Sequence, residues 1–171
     1  KWNKYLPDPP SQNRSYFPFT YSLINIFAVI KPAVLSLCIF LGIFLIYFLF
    51  YNYKNLNTGN STETIKNVFI FTFLSYPFIN NIDRANFEIL LFVFLSLFVY
   101  FYKNNKIILS VIFLSLASAM KLYPLVFIVL FISDKRYKEV VYTLVLAVLV
   151  SVVSLAMLGG GTVVENFNRM L

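Results

Sequence analysis

Two long uncharged, mainly apolar runs, residues 33–53 and 140–158, constrain this chain more than anything else in it. At about 1.5 Å per helical residue, each is long enough to cross the roughly 30 Å hydrocarbon core of a bilayer. Lipid offers no partner to a backbone N–H or C=O, so a run of this kind must satisfy its own backbone and folds as a helix. Shorter apolar pieces lie around them, at 19–30, 68–79, 87–102, 107–120 and 122–132. Hydrophobic residues fill 60% of the 171 positions and charged residues only 12%, more apolar surface than a water-soluble domain of this size can hide. The expected fold is therefore all-α: a polytopic transmembrane helical bundle, a single domain over residues 1–171, with short re-entrant or broken helices and no internal repeat.

The boundaries follow from polar and proline punctuation. Residues 1–18 are proline-rich and carry Trp2, Tyr5, Tyr16 and Phe17, a mixture suited to a membrane–water interface. Residues 19–30 are too short to span and stop at Lys31-Pro32, which predicts a short re-entrant or interfacial helix. Residues 54–67 read as a polar loop with a turn at Gly59, and 68–79 as one apolar piece interrupted by Pro77. Asn80, Asn81 or Asp83 is expected to cap a helix beginning near Arg84. Residues 103–106 and 134–139 are basic turns, expected on the cytoplasmic side together with 54–67. Between the two turns, Lys121 and Pro124 oppose a continuous helix, so 107–132 is expected to fold as a hairpin of two short helices. Its tip, residues 80–86, the N-terminal stretch and the glycine run 159–161 then fall on the outer side.

Several classes of function drop out. The net charge of +7 comes from cations scattered at segment ends, not from a stripe, so no nucleic-acid partner is expected. There is no histidine, which removes imidazole ligands and His-based triads. The single cysteine, Cys38, cannot form an intrachain disulfide and reads as a lipid-facing or packing residue. The glycine run lacks the strand-then-helix context of a phosphate loop. No metal and no cofactor is expected.

What remains is a pair of polar interruptions. A lysine at mid-membrane depth costs roughly 2.5–3.5 kcal/mol, and Lys121 stands inside an apolar stretch, followed by Leu122-Tyr123-Pro124. Snorkelling to the headgroups is one account of it. A point charge for a phosphate, beside the Tyr123 hydroxyl and freed carbonyls of a broken helix, is the other. Upstream, Asp83-Arg84-Ala85-Asn86-Phe87-Glu88 combines a helix start, a guanidinium and a carboxylate one turn on. An interfacial cap with a surface ion pair would need no more. A helix N-terminus with Arg84 also suits an anion, with Glu88 orienting Arg84. If both interruptions lie on one membrane face, they form one cationic, carboxylate-bearing pocket.

Ser75-Tyr76-Pro77, Asp83-Arg84-Ala85-Asn86-Phe87-Glu88, and Ala117-Ser118-Ala119-Met120-Lys121-Leu122-Tyr123-Pro124 together resemble glycosyltransferase family 87, membrane enzymes of the GT-C fold. The family pattern reads roughly Arg-Gly-Asn-x-Glu and Ala-x-x-Lys-x-Tyr-Pro; Ala85 stands here where glycine is usual. The resemblance implies a GT-C hexosyltransferase of the cell membrane, multi-pass, with its active site on the outer face. It implies a polyprenyl-phosphate sugar donor, a mannose-like hexose, a lipid-linked or envelope glycan acceptor, and membrane lipids as surroundings. Arg84, Asn86, Glu88, Lys121 and Tyr123 are then the donor phosphate and sugar contacts. The catalytic aspartate is expected in a loop upstream of Lys1, with Asp83 as the fallback. The chain is accordingly read as a fragment lacking that loop and C-terminal spans, inactive alone. The competing readings are a transporter or lipid flippase using the same broken helices, and a non-catalytic membrane scaffold.

Overall fold

The structure is a computed structural model that describes residues 18–28, 31–57, 59–74, 76–83 and 88–158. Among them there is no strand. The elements in order are α1 (Pro18–Ala28), α2 (Ala33–Asn55), α3 (Ser61–Phe73), α4 (Tyr76–Asp83), α5 (Glu88–Lys103), α6 (Ile107–Met120), a 3-10 turn (Tyr123–Phe127), α7 (Ile128–Ser133) and α8 (Tyr137–Leu158). The proline-rich start, Arg84, Asn86 and the glycine run lie outside the described residues.

The α5–α6 and α7–α8 connections are the same device used twice. In the first, Asn105 adopts a left-handed φ of 56°, with Lys106 N–H donating to the Phe101 carbonyl and Asn105 N–H to that of Tyr102. In the second, Lys135 takes φ 57°, and Arg136 and Lys135 donate to Phe131 and Ile132. Both are Schellman closures, which satisfy the orphan carbonyls at a helix C-terminus and reverse the chain in three residues. The Tyr102 hydroxyl joins them: it lies 2.5 Å from Asp134 Oδ2 and 3.2 Å from the Leu130 carbonyl oxygen. Both basic turns therefore sit at one end of the bundle, and 107–132 is the hairpin the sequence predicts. Its interior is closed by Phe98, Val111, Leu114 and Phe131, with the Phe98 and Phe131 rings edge-on at 5.9 Å.

α8 lies along α6 and α1. α6 buries Ser115, Ala117, Ser118 and Ala119, and α8 buries Thr143, Ala147 and Ser154. Small residues let helix backbones approach where lipid supplies no hydrophobic drive, and Ser115 Oγ reaches to 3.1 Å from the Thr143 carbonyl oxygen. On the other side of α5, Phe44 and Phe48 of α2 stack on Phe78 of α4. Tyr47 and Ser96 join α2 to α5 through their hydroxyls, 2.5 Å apart. Lys54 stands 4.5 Å from the Tyr100 ring centre, so the C-terminal end of α2 shares the end that carries the basic turns.

The most apolar windows of α2 and α8 are only 17% buried, whereas the core helix of a soluble protein would be mostly covered. Their outward faces are apolar side chains such as Ile43, Ile46, Phe50, Val145 and Val148, and Cys38 is exposed among them. An apolar helix left uncovered over most of its surface is stable against lipid, not water. This is an all-α membrane protein.

Three boundaries differ from the sequence reading. Residues 61–67 are helical, not loop, because the Asn60 side chain accepts from Thr62 N–H at 3.1 Å and Glu63 occupies the first turn; an N-cap with an acid behind it starts a helix whatever its polarity. The apolar piece 68–79 divides between α3 and α4, with Pro77 in the first turn of α4, where its missing N–H costs nothing. Asn80 and Asn81 lie within α4 and so do not cap the next helix. At the second basic turn, the helix resumes at Tyr137, one turn early, with Glu139 in its first turn.

Candidate functional site

At the end of the bundle opposite the basic turns, α6 stops at Met120 and the chain turns extended at Lys121 (φ −150°, ψ 153°). The cause is local. Were α6 to continue, the Met120 carbonyl would bond to the N–H of residue 124, and Pro124 has none. The carbonyl finds Thr20 of α1 instead, whose hydroxyl donates across 3.4 Å, with both residues fully buried. Pro124 is itself buried in the 3-10 turn that follows. The break is thus closed by a donor from a helix a hundred positions earlier in the chain.

Lys121 leaves this break toward the first turn of α5 and forms an ion pair with Glu88. Glu88 opens α5, where the helix dipole favours a carboxylate. The two side chains are 16% and 34% exposed respectively, so the pair is partly, not fully, withdrawn from solvent. The Tyr123 ring centre lies 6.0 Å from Lys121 Nζ, at the outer limit of a cation–π contact, and Tyr123 is itself 55% exposed.

Three of the expected site residues, Glu88, Lys121 and Tyr123, are therefore gathered from two segments far apart in the chain. Arg84 and Asn86 lie outside the described residues; Asp83 ends α4, and its side chain is likewise outside that set. Glu88, expected to orient Arg84, has Lys121 as its described partner. Thr20 is the residue sequence reasoning missed. Its signal was indirect: a proline four residues beyond a helical carbonyl demands a donor from elsewhere, without naming it. No group of three or more Cys, Asp or Glu among the described residues is placed to hold a metal. The chemistry available here is that of a cation, a carboxylate and a phenol beside the first described turn of α5.

The sequence matches the model of glycosyltransferase family 87 over residues 15–171, which takes in every described helix and the whole of this site. The chain belongs to glycosyltransferase family 87. No curated protein and no solved structure matches it. Family membership and the lipid-facing helices make it a membrane glycosyltransferase, which passes a sugar from a donor to an acceptor.

Proposed function

We propose that the helix break and the start of α5 bind the phosphate of a polyprenyl-phosphate sugar, and that the enzyme moves a mannose-like hexose from it to a lipid-linked or envelope acceptor on the outer face of a multi-pass membrane bundle. The observation that carries this reading is the Glu88–Lys121 pair. It sets a lysine at the rim of an apolar bundle, beside a helix N-terminus, where a lipid phosphate with its tail in the bilayer would lie.

In the reaction, the bond between the sugar's anomeric carbon and the phosphate oxygen breaks, and its electron pair goes to that oxygen. The acceptor hydroxyl oxygen bonds to the anomeric carbon and gives up its proton to a base. The products are the glycosylated acceptor and a polyprenyl phosphate with one more negative charge. Lys121, with Arg84 and the N–H groups at the helix start, stabilises that growing charge. Asn86 and Tyr123 hydrogen-bond phosphate or sugar. The base is a carboxylate outside the Glu88–Lys121 pair, with Asp83 as the candidate within this sequence. The apolar flanks of the short helices take the prenyl chain.

The test is transfer of radiolabelled mannose from polyprenyl-phosphate mannose in membranes carrying the full-length protein. Lys121→Ala and Arg84→Ala should each abolish transfer while the protein level persists. Normal transfer in both variants would defeat the proposal and leave a scaffold.

A further inference from the structure

Resting on the phosphate-binding reading above, we infer that Glu88 sets which form of the lipid phosphate the site retains: it admits the singly charged diester donor and helps the more highly charged monoester product to leave. A phosphodiester carries one negative charge near neutral pH, whereas a phosphomonoester carries about 1.5 to 2. Transfer of the sugar therefore raises the charge of the bound lipid while the protein around it stays the same. A pocket built from cations alone would hold its product harder than its donor and would stall on it.

The geometry supplies the opposing charge. Glu88 is ion-paired with Lys121, so a phosphate that reaches the ammonium also stands within about 8 Å of the carboxylate. Attraction to the ammonium and repulsion from the carboxylate both grow with the charge of the ligand. With the carboxylate present, the extra negative charge of the product gains less from Lys121 and Arg84 than it would from those cations alone. At separations near 6–8 Å and the screened dielectric of a half-exposed site, removing the carboxylate should favour the monoester over the diester by about tenfold. The same carboxylate serves the empty state. Once the product leaves, Lys121 has Glu88 as its partner at the lipid boundary, where a lone ammonium is costly. Glu88 acts here through its charge on Lys121 and on the ligand, which makes it a positioning and selecting residue, not a catalytic one.

Farnesyl phosphate and its methyl diester share a tail and differ by the ionisable oxygen, so their relative affinity reads the charge preference without requiring turnover. The measurement is displacement of radiolabelled farnesyl phosphate from the full-length protein in nanodiscs. The wild type should bind the two lipids within about threefold of each other, Glu88→Gln should shift the ratio toward the monoester by about tenfold, and Glu88→Asp should leave it within about twofold of wild type. A wild type that holds the monoester more than about tenfold tighter than the diester overturns the inference, and this arm needs no variant to fold. So does Glu88→Gln with an unchanged ratio. If the wild type binds neither lipid, the phosphate-binding reading itself fails and this inference goes with it. Binding of both lipids with no shift in Glu88→Gln sinks the inference alone.

Discussion

The two ends of the α5–α6 hairpin solve the same problem differently. At the basic end, the chain reverses through Schellman closures at Asn105 and Lys135, and the polar groups between helices are spent on one another. Tyr102 is engaged with Asp134 and the Leu130 carbonyl, and the Asn104 side chain donates to the Tyr100 carbonyl. At the break end, the chain reverses through a proline-interrupted helix, closed by Thr20 from outside the hairpin. There the tie between helices is a pair of charges, Glu88 and Lys121, partly open to the surroundings. The first end is built to stay shut. The second, on the proposed function, trades one anionic partner of its lysine for another. Within one supersecondary unit, the closed polar groups and the half-exposed ion pair are separated by the length of α5, roughly 24 Å.

Substitutions at the two ends should break or sharpen that contrast. The largest effect is expected at Lys121: its replacement by Ala should lower transfer by about a hundredfold or more, the range for losing one charge-stabilising donor, in a protein whose melting temperature in detergent moves little. The exchanged pair Glu88→Lys with Lys121→Glu separates the two roles of the break. It should recover the melting temperature lost by either single change while transfer stays abolished, because the cation then sits on the wrong helix. In the shared interior, Phe98→Ala should cost about 3 kcal/mol of stability, measured by unfolding in detergent, since Phe98 is fully buried between Phe131 and Tyr102. Ala147→Leu should cost about 1–3 kcal/mol by overpacking a buried small-residue position on α8. The smallest effect belongs to the basic end. Tyr102→Phe removes the hydroxyl tie for about 1 kcal/mol and should leave transfer intact; a loss of transfer there as large as at Lys121 would show that the two ends are not separable.

Much of the fold was legible along the chain. Run lengths identified α2 and α8, Lys31-Pro32 ended α1, and Pro124 marked the break. The main misreading, 61–67 as loop, came from weighing polarity above capping: Asn60 followed three positions later by Glu63 is a helix start, and Thr64, Val68 and Thr72, four apart, are the buried face of α3. The break-end site was legible as two polar interruptions, but their partners were not. Glu88 lies one helical turn from Arg84, which is outside the described residues, and nothing in that local spacing points to Lys121. In space its carboxylate meets Lys121, thirty-three positions away.

The chain's own chemistry determined that it is helical, that it lives in lipid, and where its helices must stop. These are local matters: an apolar run satisfies its own backbone, and a proline cannot donate. Only the packed bundle decided which helix meets which. In water, a stripe of apolar residues tells a helix which face to bury. In lipid the outward face of α2 or α8 is as apolar as the inward one, so that stripe is erased and register is left to small residues and hydroxyls. The meetings of Thr20 with Met120, Tyr102 with Asp134, and Glu88 with Lys121 depend on how those helices pack and at what depth, which no stretch of the sequence states by itself.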